Sequence, residues 1–573
     1  YSPSQNVNFD LTTLRVWDAA RLGEALRAAE PAPHHQQWSA VQLDRYSVAG
    51  RVKLVAIAAA EAGGSNVPGG WLNQHVQYAS GEGILACDAA AATAHGAPLI
   101  LRGLAQFALS EPRVFYGAAA QSYALSAERA AGGVRLDSWW WRCAWAWRLR
   151  DLNLLLYRSP PAQTTRLLFR RAMTERAAAL APFLKTGGEP YPVVADGRLV
   201  WMLDLLTATA SYPASLAPAS LAAASRAGSG QPSNAARDSV KMVMDAADGR
   251  VTFYVASAAA APLLQVWQRA WPQLVRPYAE MPAAIRRHRR YPRFLFDAQL
   301  RLLGRYHNAV AQSFHARQDV WSSAADADYA LLPPWDERGR TSQFVLQDSL
   351  MPAGERRLAA LLRAGCDEAA YGRLALLRFD KPGTPSLENR NRKRPAGPPE
   401  LESAVASRLK RDFQRGGEFP GRQSGWRLEP GAVLPVAWPG VAGRVLLFES
   451  IYLVRTSDAP GSDVTASGTA GNRSDVKLWQ VAVMDAATPD HPIASGSTPR
   501  LAVEQLQRIG AGPGAVPASD KVAAQIAALT AKALRLHDEA QAATARNWQQ
   551  AGALWRQERE VLEKLAILSQ SKG

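Results

Sequence analysis

The chain has 573 residues, a formal charge of +16, a sequence pI near 9.9, and 47% hydrophobic against 20% charged residues. That length outgrows one hydrophobic core and predicts roughly two to four domains, and the composition is that of a globular protein rather than a disordered or fibrous one. No uninterrupted apolar run reaches the roughly 18 residues that a membrane-spanning helix needs, and three scattered cysteines, Cys87, Cys143 and Cys366, exclude a disulfide framework and a Cys-rich zinc site.

The positive balance admits two readings. One is an anionic partner: lipid headgroups, an acidic envelope polymer or nucleic acid. The other is a compositional bias spread over the surface, which the dispersal of Lys and Arg through most segments favours. The 18 Trp residues suggest large aromatic anchors in the core or at interfaces. The chain opens at YSPSQNV, with neither Met nor a signal-peptide pattern, and so reads as part of something longer.

In chain order, NVNFDLTTLRVWD is a strand-like start with Asp18 as a helix cap, and VQLDRYSVAGRVKLVAIAAAE is two strands around a Gly turn. Residues 69–87 alternate apolar and polar and read as a strand entering a tight turn. His75 lies there without a second ligand at metal spacing, which favours a hydrogen-bonded structural histidine. Ser80-Gly81-Glu82-Gly83 is neither a nucleophile elbow nor a phosphate loop. EPRVFYG (111–117) is a further strand. SWWWRCAWAWRLRDLNLLLY (138–157) is a helix with aromatics on several faces, buried in a core or pressed on a partner, with core favoured.

Residues 158–213 organise the rest. A helix carries Arg166, Leu168, Arg170, Glu175 and Arg176. Pro190-Tyr191-Pro192 stiffens a break, and Asp196-Gly197 turns a hairpin between YPVVA and LVWML. Helix and hairpin are expected to pack as one corner involving Glu175, Arg176, Tyr191 and Asp204, acting either as a folding staple or as a seat for a partner. An Ala/Ser/Gly/Pro loop follows (214–236), then a second Asp-Gly hairpin (239–255), whose Asp245 and Asp248 do not fit a calcium loop. In 281–307 Arg286, Arg287, Arg289 and Arg290 could grip phosphates or carboxylates, or form a solvated helix end paired to acids elsewhere.

Further on, 340–380 reads as strand, helix (GERRLAALLRA) and strand. A basic Pro-rich loop covers 381–400, and two or three strands fill 431–455. A linker spans 456–475 and a strand 477–485. From 518 the character is helical, with Asp520 and Asn547 as caps and Trp548, Ala551, Trp555, Leu562 and Leu565 on one face of an αα-hairpin. No Walker loop, dinucleotide fingerprint, HExxH or Ser-His-Asp order is present. The expected class is α+β: an antiparallel, hairpin-rich body with interspersed helices and a C-terminal helical pair. Its divisions fall at 1–213, 237–455 and 476–573.

Several stretches occur together and in order: TTLRVWD, LDRY, WLNQHVQY, SGEG, PRVFYG, TERAAALAPFL, PYPVVADGRLVWMLD, SVKMVMDAADGRVTFYV, MPAAIRRHRRYPRFLF, YGRLALLRFDK and RVLLFESIYL. With them the chain resembles uncharacterised protein family 0182, large bacterial membrane proteins. The resemblance implies transmembrane helices ahead of this chain and places what is present outside the cytoplasm, on the cell membrane. The family brings no established activity and no catalytic residues. Where it tends to be acidic, this chain has Gly187-Gly188-Glu189, Val41-Gln42-Leu43 and Ala258 to Ala261, which weakens any metal or acid chemistry at those places.

Three functions follow in order of preference. The first is a binding or assembly domain of the cell envelope, with envelope proteins, lipids or acidic polymers as partners. The second is an envelope hydrolase or transferase using buried carboxylates. Nucleic-acid binding through basic patches ranks last. The candidate binding residues are Arg286, Arg287, Arg290 and Tyr191; no catalytic residue, metal or cofactor is assigned.

Overall fold

Four long strands carry the fold: Arg51–Ala62, Arg198–Thr209, Gln343–Pro352 and Val445–Thr456. The computed structural model describes residues 10–33, 35–63, 67, 69–120, 123–126, 132–157, 165–212, 233–257, 262–308, 310–323, 327–335, 342–379, 395–414, 426–438, 444–456, 474–488, 491–510, 553–557 and 559–560. The chain divides into two compact units, Tyr1–Leu506 and Gln507–Gly573. All that follows concerns the first. In the second, residues 553–557 and 559–560 are helical, and the rest of the expected C-terminal pair lies outside the described residues. So do most of the loops expected at 214–236, 381–400 and 456–475.

The four long strands repeat one plan. Each is flanked on one side by two short strands laid end to end, the first against its C-terminal end and the second against its N-terminal end. These pairs are Gln36–Trp38 with Gln42–Val48, Lys185–Thr186 with Tyr191–Ala195, Trp321–Ser323 with Asp328–Leu332, and Arg427–Pro430 with Leu434–Ala437. On its other side each pairs antiparallel with the next strand of its sheet: Ile84–Ala92, Ala235–Asp245, Ala360–Gly365 and Ser474–Asp485. A shorter antiparallel strand follows in every sheet, and a parallel strand, Val275–Arg276, extends the second. This is the α+β class of antiparallel hairpins and interspersed helices that the turn dipeptides and apolar runs imply. Asp196 and Gly197 both have positive φ (49° and 73°), as the two-residue turn demands.

The second sheet shows how the packing works. Nine consecutive residues of Arg198–Thr209 are buried, because both faces of the strand are covered. Trp201, Leu203 and Leu205 share a core cluster with Met173 and Ala177 of the helix Met173–Leu180 and with Ala181 at its end. Val200 and Met202 face the other way, with Tyr191, Val193 and Met281. Helix and hairpin therefore pack as one unit, but Tyr191 points away from the helix. Glu175 is exposed, 3.9 Å from Arg170. Arg176 donates to the carbonyls of Phe169, Arg170 and Gly249 and covers the Tyr116 ring at 4.5 Å.

Several local expectations are corrected. The organising helix does not start at 166: Arg166–Leu168 is a strand, paired on both sides, and Arg170 (φ 48°) breaks the chain before Met173–Leu180. GERRLAALLRA ends in the strand Ala360–Gly365, buried at every residue, since a strand covered on both faces has no readable alternation. The stretch before the SGEG turn is helical over Asn73–Gln77. There His75 donates to the Tyr123 carbonyl at 2.8 Å and stacks on its ring. The strand-like start is a single helical turn, Leu11–Thr13. Asp18 precedes the helix Ala19–Ala29, but its carboxylate is taken by Arg15 and the Ala432 amide rather than by the helix end.

Gly81 of the SGEG turn passes so close to the neighbouring long strand that a Cβ there would overlap the Ala60 carbonyl. Gly81→Ala is therefore expected to lower stability by about 2 kcal/mol, measured by denaturant unfolding.

Candidate functional site

Where its two short partners meet end to end, each long strand runs past two residues unpaired on that side: Ala58 and Ala59, Leu203 and Asp204, Asp348 and Ser349, Glu449 and Ser450. Three of the four gaps hold a buried acid, Asp204, Asp348 or Glu449. A break in the flanking strand leaves room for a polar side chain inside the sheet, and each acid meets a different environment. Asp204 accepts from the Lys241 ammonium at 2.6 Å, and Asp348 from the Ser323 hydroxyl at 2.5 Å. Neither carboxyl oxygen of Glu449 has a hydrogen-bond partner. Burial, reinforced by the charges of Glu402 and Asp18, pushes its pKa up to about 8.

Around Asp204 lies a buried ionic centre. The side chain of Lys241, 0% exposed, also meets Asp238 at 3.1 Å and donates to the Arg290 carbonyl at 3.0 Å. The Tyr371 hydroxyl donates to Asp238 at 2.5 Å. The Arg290 guanidinium lies over the rings of Tyr191 (4.1 Å) and Tyr329 (5.2 Å), donates to Gln42 at 3.0 Å, and stands 3.8 Å from Asp44. Asp44 also takes the His288 ring nitrogen at 3.0 Å and the Arg45 guanidinium at 3.3 Å. Arg289 lies over Tyr371 (4.2 Å) and Tyr278 (4.6 Å) and donates to the Ala256 carbonyl. Two successive arginines thus each contact two tyrosine rings, a geometry open to a planar cation.

Burial sets the electrostatics here and the partners modify it. For Asp44, burial alone would raise the pKa, but His288, Arg290 and Arg45 together hold it below the usual carboxylate range. Asp204 is pushed up by burial, with Lys241 opposing and Asp238 reinforcing. Burial and the Asp204 charge drive the Tyr191 phenol well above its ordinary value.

Of the sequence-predicted residues, Arg290 and Tyr191 are brought together and closed to solvent. Arg286 pairs with Glu368 at 3.0 Å, and Arg287 is exposed. The partners that sequence reasoning missed come from the first sheet (Asp44), the second (Asp238 and Lys241) and a turn ahead of the last strand of the third (Tyr371), and stand at no readable spacing. For the gap acids one signal did exist: an acid preceded by a mainly apolar run recurs in WMLDLL, VLQDSL and LLFESI. No group of three His, Cys, Asp or Glu among the described residues could hold a metal ion. One open cavity, about 660 Å³, is lined by Thr12, Arg51, Lys53, Asp88, Trp479 and Arg500, among others.

The surface holds what the interior does not. The helix Trp139–Leu149 is capped by the Ser138 hydroxyl and buries Ala146 beside Trp145 and Leu149. Its other side is open: Trp140 is 80% and Trp147 87% exposed, and Trp139 and Trp141 are exposed with them. This corrects the expectation that these rings are core. Arg148 and Arg150 are exposed at the end of the same helix.

Comparison with known proteins adds the relatives. A model of the uncharacterised protein family UPF0182 matches residues 4–385. The chain is 31% identical over 419 residues to a UPF0182 protein of Synechococcus sp. (strain JA-3-3Ab), covering 65% of this chain and 48% of the relative. It is 30% identical over 407 residues to UPF0182 protein bll7333 of Bradyrhizobium diazoefficiens (65% and 42%), and over 408 residues to a UPF0182 protein of Moorella thermoacetica (65% and 44%). The matched part spans less than half the length of each relative. No solved structure matches.

Two substitutions probe the interior. Lys241→Met leaves two buried acids without their cation and is expected to cost about 3–5 kcal/mol near neutral pH. The loss should shrink toward acidic pH as those carboxyls protonate, which denaturant unfolding at several pH values would measure. Glu449, near 8 in the folded chain against an ordinary 4.5, keeps a proton that the unfolded chain has released. Its carboxyl therefore lowers stability as pH rises from about 4.5 to 8, with no further change beyond. Glu449→Gln should remove this slope, so that the variant gains about 2–4 kcal/mol on wild type between mildly acidic and mildly alkaline pH.

Proposed function

This chain belongs to the uncharacterised protein family UPF0182, and on that premise we propose that it is the extracytoplasmic part of a cell-envelope membrane protein and works there as a binding or assembly module. The observation that carries the binding reading is the outward tryptophan face of Trp139–Leu149. Large apolar side chains gathered in a patch mark a surface that another body covers. No helix among the described residues is long and apolar enough to cross a membrane. In this reading the spanning helices belong to parts of the longer relatives that the chain does not match.

The interior supports the same preference. Acid–base hydrolysis needs two carboxyls facing a shared cavity; Asp204 and Asp238 instead share a lysine inside the core, and the hydrolase reading is left with Asp297 and Asp348, which line one open cavity beside Arg293 and Arg301. Phosphate gripping by the arginine cluster would need guanidinium groups in solvent, and Arg289 and Arg290 are buried against tyrosines.

Protease added to intact spheroplasts holding the full-length protein is expected to cleave within this region; protection until lysis would overturn the extracytoplasmic placement. Cross-linking in native membranes should recover partners that are lost in Trp140→Ala/Trp147→Ala at unchanged thermal stability. Recovery of the same partners with the variant would overturn the assignment of this face.

A further inference from the structure

The reading just given leaves open what covers the tryptophan face. We infer that it seats on the headgroup region of an anionic lipid bilayer, an inference that rests on that face being a binding surface. It concerns this chain's own surface, whatever spans the membrane elsewhere in the protein.

The first argument is the direction of the rings. Trp139, Trp140 and Trp141 are consecutive, so on a helix advancing about 100° per residue they fan over about 200°. Trp147 returns to the direction of Trp140 two turns later. A protein groove engages a helix along one stripe, at i, i+3, i+4 and i+7. A fan of rings suits a deformable layer that can fill in around each of them.

Chemistry points the same way. Indole combines an apolar body with one N–H donor, and this is the side chain that concentrates at the boundary between headgroups and acyl chains. The helix holds no acid, and its exposed end carries Arg148 and Arg150. Arginine beside tryptophan complements an anionic surface, and the chain's +16 charge adds long-range attraction.

Continuity extends the face beyond one helix. Trp145 on the inner side packs against Phe169 (4.7 Å). Phe169 lines an open cavity with Arg170, Arg176, Leu180 and Arg250. Three residues beyond Leu180, Phe183 stacks on Trp267 (4.4 Å) and Trp271 (5.4 Å). Leu180, Leu263, Val266 and Trp271 are exposed there. Between the two tryptophan-bearing helices thus lie aromatic side chains and three arginines with one acid, Asp248, among them, an extent that suits a broad surface more than a single pocket.

Flotation of the purified chain with phosphatidylcholine vesicles, with or without phosphatidylglycerol, tests this. The chain should float with the anionic vesicles, less so as salt rises, and brominated lipid should quench its fluorescence. Trp140→Ala/Trp147→Ala should cut partitioning about tenfold or more with an unchanged melting curve, since both rings lie outside the core. Arg148→Glu/Arg150→Glu should lose preference for the anionic lipid. No flotation with either vesicle, or flotation indifferent to the tryptophan pair, would overturn the inference. If the wild-type chain fails to float yet self-associates, or holds an envelope protein, through the same two tryptophans, the lipid assignment falls and the binding-module reading stands. If the face binds nothing, both fall.

Discussion

A lysine ammonium with no exposed surface, lodged between two carboxylates, is the contact on which the interior of this protein depends. Asp204 and Asp238 stand in for the hydration that the buried Lys241 side chain lacks, and the Arg290 carbonyl accepts a further hydrogen bond from it. That carbonyl ties the second sheet to the segment His288 to Tyr291. The same segment reaches Asp44 in the first sheet through His288 and Arg290, and Tyr371 just ahead of the last strand of the third sheet. A cluster of this kind contributes little net stability over an apolar core. Its effect is one of register, because a displaced sheet would strand a charge in the interior.

The gap acids arise from one architectural habit. Breaking the flanking strand into two pieces lets the chain bend around each long strand, and the unpaired step becomes a polar niche in an otherwise apolar sheet. In the first sheet the niche holds two alanines, and the Ser39 hydroxyl accepts the Ala59 amide there. In the others an acid fills it and is neutralised by lysine, bonded by serine, or, at Glu449, held with a proton of its own.

Much of this was legible locally and little of it globally. Asp196-Gly197 and Asp248-Gly249 announce their hairpins because turn chemistry is a property of adjacent residues. Ala360–Gly365 is invisible as a strand because alanine and leucine buried on both faces carry no period. Tyr191 and Arg290 were singled out separately, for rigidity and for charge, but nothing in a linear reading says that the ring of one receives the other. Asp44 precedes its partner His288 by 244 residues, a separation at which no spacing argument operates. The tryptophans of Trp139–Leu149 misled for a plain reason. Aromatic content predicts burial only on average, and a surface that is buried by something outside the chain looks the same in sequence.

The spread of the four sheets along the chain bears on how the molecule is made. Each draws its strands from one continuous stretch, running from Gln36 to Ile100, Lys185 to Arg276, Trp321 to Arg378 and Arg427 to Gly496. Each can close soon after its last strand emerges from the ribosome, because none of its pairings reaches outside its own stretch. The ionic centre follows a different clock. Asp44 is synthesised first and must wait for His288 and Arg290, and Asp238 must wait for Tyr371. A nascent chain therefore passes through a stage of finished sheets with unmatched charges, open to water and free to slide. The arrival of Tyr371 supplies the last member of the centre and ends that stage.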